Sequence, residues 1–185
     1  ERKFYALGTA SQVPTRKRNH NGYFLRWDDQ GFLFDPGEGT QRQMLFAGVS
    51  ANEITKIFIT HFHGDHCLGL AGILQRISLD NVQHAVEVYF PASGLAYFNN
   101  LKNASIYYDR ANIIPCPFDE EGILFENKHF TLSTLPLDHT VDCWGYRLDE
   151  KNDISFVPDK LDELGLKGPI IGHLRREGKV ELEGR

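Results

Sequence analysis

Four potential metal ligands occupy six consecutive positions in the stretch FITHFHGDHCLGLAGI, residues 58–73: His61, His63, Asp65 and His66. They lie between an apolar run that predicts a strand and a Leu/Gly-rich run that predicts a helix. Zinc accepts imidazole and carboxylate ligands, and its catalytic sites keep one coordination position open for water. The sequence therefore predicts a catalytic metal site at this junction.

Two other interpretations of this stretch are a polar surface turn that contains histidines by chance and a purely structural zinc site. Four ligand types placed directly between a strand and a helix disfavour the first interpretation. The carboxylate and the absence of clustered cysteines from the sequence disfavour the second, because structural zinc sites are typically rich in cysteine.

Composition restricts the class of protein. The 185 residues suit one ordinary domain, and the apolar runs are too short to span a membrane, so we expect no membrane association. A net charge of −5 argues against diffuse nucleic-acid binding, although a local basic patch or metal ions can still attract phosphate. Three widely spaced cysteines, Cys67, Cys116 and Cys143, predict free thiols in a reducing cytoplasm.

Short apolar runs alternate with helical patterns and predict mixed α/β layers that position the site. The predicted strands are KFYAL, GYFLRW, FLFD, KIFIT, VEVYF, HFTLSTL and CWGYRL. The predicted helices are EGTQRQMLFAG, HCLGLAGILQRI and SGLAYFNNLKN. In the second of these helices, Leu70, Ile73, Leu74 and Ile77 share one face.

The motif His-x-His-x-Asp-His between a strand and a helix is the signature of the metallo-β-lactamase superfamily. Its fuller form, THFHGDHCLGLAG, resembles more narrowly the ribonuclease Z family of tRNA 3′-processing endonucleases. The segments LGTASQVPTRKRN, FDPGEGTQRQM and LPLDHTVDCWGYRL resemble the same family. The resemblance covers nearly the whole chain. It implies an α/β (α+β) fold, the metallo-β-lactamase-like αββα sandwich.

The resemblance also implies the roles of individual residues. His61, His63 and His139 would bind one zinc ion, and Asp65 and His66 would bind a second. Asp65 would also orient or deprotonate the attacking water. A metal-bound hydroxide would then attack phosphorus, leaving a 3′-hydroxyl on the tRNA and a 5′-phosphate on the trailer. A complete site would hold two zinc ions, with manganese as the alternative, and the resemblance implies no organic cofactor.

Two of these site residues have alternative interpretations. His139, which follows PLD, is by itself also typical of a hydrogen-bonded residue at the end of a strand. Asp35 either caps the turn into the GEGTQ helix or accepts a hydrogen bond that orients a ligating imidazole. The resemblance favours the second interpretation of Asp35, and the two are compatible.

Two basic segments are candidates for contacting RNA. Arg16, Lys17 and Arg18 concentrate positive charge in one loop, where a solvated turn and a phosphate-binding loop are about equally consistent with the charge. The segment LGLKGPIIGHLRREGKV resembles the arm with which the family holds the tRNA body, and it contains Arg175 and Arg176. From Lys160 to Arg185, six Lys and Arg residues stand against five Asp and Glu residues, so the arm assignment depends on the resemblance.

The prediction of domain boundaries depends on the same resemblance. We expect residues 1–158 to form the N-terminal half of the sandwich and residues 159–185 to begin the arm. The family pattern continues with an aspartate that bridges both metals and with further histidines, which lie beyond this sequence. We therefore expect the C-terminal half either in a longer protein or on a separate chain.

Three functions remain open at this point. The first is a tRNA 3′ endonuclease that is homodimeric and cytoplasmic, as the resemblance implies. The second is another metallo-β-lactamase-fold hydrolase that acts on a thioester, a lactam or a sulfate ester. The third is a non-catalytic RNA-binding half that needs a partner chain.

Overall fold

Strands form where apolar and β-branched residues recur at the period of a pleated sheet. The computed structural model describes residues 1–151 and 155–181 of the chain. Within these residues the strands are β1 (Arg2–Gly8), β2 (Gly22–Trp27), β3 (Gln30–Phe34), β4 (Lys56–Phe58), β5 (Val86–Pro91), β6 (Ile113–Phe118), β7 (Gly122–Glu126), β8 (Phe130–Pro136) and β9 (Trp144–Glu150). All seven predicted strands are present, and β6 and β7 were not predicted.

Helices occupy the connections between strands. They are α1 (Thr40–Ala47), α2 (Gly64–Cys67), α3 (Leu70–Leu79), α4 (Leu95–Lys102), α5 (Pro158–Glu163) and α6 (Pro169–Glu177). Short 3-10 turns cover Ala51–Glu53 and Ala92–Gly94. No helix of the described ranges is long and apolar enough to cross a lipid bilayer.

The predicted helix HCLGLAGILQRI is interrupted, so the expectation of one continuous helix is wrong. It is split into α2 and α3, and Gly69 lies between them. The Gly69 N–H donates to the carbonyl oxygen of Pro36 at 2.9 Å. A side chain at Gly69 would lie only 2.1 Å from the Gly37 oxygen. The break therefore follows from a close approach of two backbone segments, which glycine permits.

A six-stranded sheet with the order β1-β2-β3-β4-β5-β6 forms the centre of the fold. The pairs β1–β2 and β2–β3 are antiparallel, whereas β3, β4, β5 and β6 run parallel to one another. The carboxyl ends of the parallel strands therefore meet at one edge of the sheet, where the following loops come together. Strands β7, β8 and β9 form a separate three-stranded sheet.

Helix α3 supplies the apolar layer on one face of the six-stranded sheet. Its residues Leu70, Ile73, Leu74 and Ile77 are at most 1% exposed and belong to the same core cluster as Ile57 of β4. The predicted apolar face of this helix is confirmed. Each such side chain contributes roughly 1.5–3 kcal/mol by its removal from water.

Aromatic side chains cover the opposite face. Phe58 lies 4.9 Å from Phe34, 5.3 Å from Tyr89 and 5.0 Å from Tyr146, between ring centres. The Tyr146 hydroxyl donates to the Ile59 carbonyl oxygen at 2.7 Å, which ties β9 to the end of β4. Both faces of β4 are thus packed, as expected for a central parallel strand.

The chain forms two compact units. The first comprises Glu1–Leu124 with Ser133–Arg147, and the second comprises Phe125–Leu132 with Leu148–Arg185. In the second unit, Gly168 has a φ of 65° and Pro169 is the first residue of α6, so the Gly-Pro pair begins a helix. The division of the sequence at residues 1–158 and 159–185 stays a prediction.

Candidate metal centre

The ends of two neighbouring parallel strands carry the first part of the centre. Asp35 directly follows β3, and Thr60 and His61 follow β4. The Asp35 N–H donates to the Phe58 carbonyl oxygen at 2.8 Å, which holds the two strand ends together. Because parallel strands end at the same edge of the sheet, these side chains lie side by side.

The remaining ligand candidates come from α2 and from the connection between β8 and β9. Asp65 and His66 lie in α2, and His63 is the residue that precedes it. His139 lies in the loop that Leu137 and Cys143 close, where the Leu137 N–H donates to the Cys143 carbonyl oxygen at 2.8 Å. The prediction that Asp65 and His66 stand where a helix starts is confirmed.

Three imidazole nitrogens converge on one point. His61 Nε2 lies 3.1 Å from His63 Nδ1, and His63 Nδ1 lies 3.3 Å from His139 Nε2. One nitrogen from each ring falls within 4.8 Å of the other two. Zinc–nitrogen bonds of about 2.0–2.1 Å in tetrahedral geometry place neighbouring nitrogens about 3.3 Å apart. The three histidines therefore fit a single divalent ion.

A second, smaller set lies next to the first. The ring centres of His61 and His66 are 4.2 Å apart. Asp65 is buried, and its Oδ2 lies 3.5 Å from His66 Nε2. The same His66 nitrogen lies 3.0 Å from the side-chain nitrogen of Asn21. Asp65 and His66 thus offer two ligands, and the Asn21 amide lies beside the nitrogen that a second ion would use.

Asp35 holds both strand ends and one of these histidines. Its Oδ1 accepts the Thr60 N–H at 2.8 Å, and its Oδ2 accepts the Thr60 hydroxyl at 2.8 Å. Oδ2 also lies 2.8 Å from His66 Nδ1, whose N–H donates to it. The alternative that Asp35 caps α1 is wrong, because Gly39 is the N-cap of that helix and it has no side-chain cap.

Burial and neighbouring charges shift the pKa values of three groups at the centre. Burial, followed by the neighbouring His66, lowers the pKa of His61 to about 4, so its ring is neutral at pH 7. Burial also lowers the pKa of His66, but the hydrogen bond and charge of Asp35, with Asp65, outweigh it and raise that pKa. Burial, with the same two carboxylates, raises the pKa of Cys67 to about 12 and keeps its thiol protonated.

The centre opens into a cleft of about 570 Å³. Ser11 and Gln12 line it on one side, and the loop of Leu137–Thr140 lines it on another. The loop that begins with Ser11 continues to Arg16–Arg18, all of which are exposed. The Thr15 N–H donates to the Arg18 carbonyl oxygen at 2.8 Å, so the basic residues form a tight turn. The other predicted RNA-contacting residues, Arg175 and Arg176, lie exposed in the last turn of α6.

Sequence reasoning missed three residues of the centre: Asn21, Thr60 and Cys143. Cys143 Sγ lies 3.7 Å from His61 Nδ1, and the structure confirms that all three cysteines are free thiols. A threonine or an asparagine alone carries no spacing signal for a metal site. Their contacts appear only when the chain brings residues 21, 35, 60 and 143 together.

A model of the metallo-beta-lactamase superfamily matches residues 15–155, more than half of the chain. The chain belongs to the metallo-β-lactamase superfamily. Superfamily membership implies divalent metal binding, and the converging histidines fit such an ion. The predicted fold class is confirmed.

Individual relatives narrow the comparison within the superfamily. A ribonuclease Z of Nocardia farcinica is 54% identical over 186 residues, which cover all of this chain and 61% of that protein. A ribonuclease Z of Salinispora arenicola is 49% identical over 184 residues, with coverage of 100% and 60%. The crystal structure of human tRNase Z, short form, aligns with a TM-score of 0.67 and 28% identity over 80% of this chain and 64% of that one.

These comparisons confirm the resemblance to ribonuclease Z that the sequence motifs indicated. The chain spans about 60% of the length of the curated relatives that it matches.

Proposed function

We propose that the protein carrying this sequence is a zinc-dependent endoribonuclease that removes 3′ trailers from precursor tRNA. Its products would be a tRNA 3′-hydroxyl and a trailer 5′-phosphate. The convergence of the His61, His63 and His139 nitrogens beside Asp65 and His66 carries this proposal. Similarity to ribonuclease Z along the whole chain supports the choice of substrate.

His61, His63 and His139 would hold the first ion, and Asp65 and His66 would contribute to a second. When bound, such ions polarise a phosphodiester and acidify water, and both zinc and manganese accept imidazole and carboxylate ligands. The Asp65 carboxylate lies at the edge of the cleft, where it orients the attacking water and accepts its proton. Asp35 keeps the His66 ring in place through the hydrogen bond to Nδ1.

The basic turn of Arg16, Lys17 and Arg18 would contact the RNA backbone. The loop that carries this turn also lines the cleft through Ser11 and Gln12. Arginine and lysine bind phosphates without reading sequence, and such contacts weaken as salt is added. Arg175 and Arg176 would add contacts from the Gly-Pro arm. The resemblance further supports a homodimer that works in the cytoplasm.

The test uses the protein as it occurs in the cell, isolated through a tag on this sequence so that any accompanying polypeptide is retained. A precursor tRNA labelled at its 3′ end is incubated with it, and the product ends are mapped. Cleavage at the 3′ end of the mature tRNA supports the proposal. Cleavage of a small phosphodiester, a thioester or a lactam without tRNA binding would instead indicate another hydrolase. Tight tRNA binding with less than one zinc per chain and no cleavage would indicate a non-catalytic RNA-binding half.

A further inference from the structure

We propose that Thr60 is a positioning residue whose hydroxyl, held by Asp35, sets the tautomer of His61, while the same carboxylate sets that of His66. Each histidine then turns an unprotonated Nε2 toward the ions. The inference rests on the proposed role of these histidines as metal ligands. Thr60 Oγ1 lies 2.8 Å from Asp35 Oδ2 and 2.9 Å from His61 Nδ1.

The single proton of the hydroxyl decides the direction of both bonds. A carboxylate only accepts, so the Thr60 hydroxyl donates its proton to Asp35. The hydroxyl oxygen has no second proton for His61 and must accept a hydrogen bond from that ring. His61 therefore carries its proton on Nδ1, and its Nε2 keeps a lone pair. That Nε2 is the atom that lies 3.1 Å from His63 Nδ1, among the converging nitrogens.

The same carboxylate oxygen sets the second histidine. His66 Nδ1 lies 2.8 Å from Asp35 Oδ2, which already accepts the Thr60 hydroxyl. The Asp35 carboxylate accepts the proton of His66 Nδ1, so in the neutral ring, the form that binds a metal, the lone pair also falls on Nε2. One hydroxyl and one carboxylate thus connect a ligand of the first set to a ligand of the second. Loss of the hydroxyl should therefore disturb His61 directly and His66 only through the shared Asp35 oxygen.

Two features separate this role from ordinary packing. The Thr60 N–H independently donates to Asp35 Oδ1 at 2.8 Å, so a Thr60→Val variant keeps the shape and the backbone anchor and loses only the hydroxyl. Cys143 Sγ also lies 3.7 Å from His61 Nδ1, but a thiol is only a weak donor and a weak acceptor. The hydroxyl is therefore the stronger partner of that nitrogen.

The test measures metal binding and ring protonation, without RNA, in the protein isolated through a tag on this sequence with any accompanying polypeptide retained. Zinc affinity is measured by competition with a coloured chelator, and the ligand field by the visible spectrum of the cobalt-loaded chain. Nitrogen NMR of the metal-free chain reports the tautomer of each histidine. We expect Thr60→Val to weaken zinc binding about 10- to 100-fold, the usual effect of losing a group that orients a ligating histidine. Thr60→Ser should restore binding.

Matched variants give the controls. Thr134 is a buried threonine whose hydroxyl donates to the Gly145 carbonyl oxygen at 2.9 Å, so Thr134→Val loses a comparable hydrogen bond away from the ligands. It should leave zinc affinity and the cobalt spectrum unchanged. Cys143→Ala should have a much smaller effect than Thr60→Val.

Unchanged affinity and spectrum in Thr60→Val, or failure of Thr60→Ser to restore them, would overturn the inference. If Thr60→Val does not fold, the NMR of the unsubstituted chain decides, because a proton on His61 Nε2 contradicts the argument. None of these measurements uses RNA cleavage. A chain that binds zinc with the expected tautomers but never cuts tRNA would refute the endonuclease proposal and leave this one standing.

Discussion

The metal centre and the basic turn differ in how the protein holds their side chains. His61, Asp65 and Asp35 are buried, and the Asp35 carboxylate accepts hydrogen bonds from both Thr60 and His66. The Arg16–Arg18 side chains are exposed at the tip of a loop. Chemistry at a metal ion needs positions fixed within a fraction of an ångström, whereas attraction of a phosphate backbone needs only nearby charge. The two regions should therefore respond to different substitutions.

The largest separation is expected from Asp65→Ala. Loss of the group that moves the proton should reduce cleavage about 100- to 10,000-fold, because general-base contributions fall in that range. Binding of tRNA should stay nearly unchanged, because the basic turn is intact. Mapped cleavage and filter-binding assays on the protein isolated from cells measure the two effects. The exposed Asp119→Ala is the control for charge, and equal loss of binding and cleavage by Asp65→Ala would contradict the assigned role.

Within the centre, the two ligand sets should not be equivalent. His61→Ala should lower the affinity for the most tightly bound zinc ion by at least about 100-fold, because it removes a ligand outright. Loss of a group that only orients a ligand already lowers metal affinity about 10- to 100-fold. His66→Ala should leave one ion bound by the three converging nitrogens. Zinc per chain after dialysis measures the difference. If both variants lost their zinc equally, the description of two sets would be wrong.

The strand beneath the centre offers a test of stability. Lys56 at the start of β4 forms a largely buried ion pair with Glu87, and the Tyr89 hydroxyl donates to Glu87 at 2.8 Å. Burial opposes ionisation, but the Lys56 and Tyr89 contacts outweigh it and lower the pKa of Glu87. A carboxyl group with a lowered folded-state pKa stabilises the fold above its ordinary pKa. That contribution is lost as the pH falls through the folded-state value.

We expect Lys56→Met to reduce the free energy of unfolding by about 1–3 kcal/mol at neutral pH, because it leaves the Glu87 carboxylate without its cation. The acid dependence of stability should become flatter, as urea unfolding at neutral pH and at pH values at and below the ordinary carboxyl pKa would show. Lys151→Met, which breaks the exposed pair of Lys151 and Glu126, should have a much smaller effect. If Lys151→Met reduced the free energy of unfolding as much as Lys56→Met, burial would not explain the contribution of the Lys56–Glu87 pair.

The smallest effect is expected at the basic turn. Arg18→Ala should weaken tRNA binding several-fold and reduce the slope of affinity against salt by about one unit if it loses one phosphate contact. Zinc affinity should not change. Lys128→Ala, at another exposed lysine, is the control. A loss of zinc in Arg18→Ala would mean that the turn and the centre are not independent.

The periodicity of the apolar residues was enough to predict most of the strands and the apolar face of α3. The alternation in GYFLRW and the run KIFIT predicted β2 and β4, and the apolar face of α3 followed from residues three and four apart. Strand β6 was missed because IIPCPF contains two prolines, which remove donors from a ladder. The sheet accommodates them because β6 is one of its two edge strands. The α2–α3 break was missed because it depends on a backbone contact with residues distant in the sequence.

The convergence of the centre was only partly predictable. His61, His63, Asp65 and His66 are close in sequence, so their spacing alone indicated a shared site. The contribution of His139 came from resemblance, since nothing local to it fixes where its ring lies. Thr60 acts through atoms of Asp35 and His61, and a threonine before a histidine has no distinctive pattern. A run of basic residues likewise predicts a charged turn at Arg16–Arg18 but does not identify what that turn binds.

The first ligand set joins chain segments that are far apart, since His63 and His139 are separated by 76 positions. An ion held between them closes a long loop, as a covalent cross-link would, and its binding favours the folded chain over the unfolded one. Each tenfold rise in the free ion concentration above the dissociation constant then adds about 1.4 kcal/mol to the stability of the fold. The stability of this protein in a cell would therefore depend on the supply of the divalent ion, quite apart from catalysis.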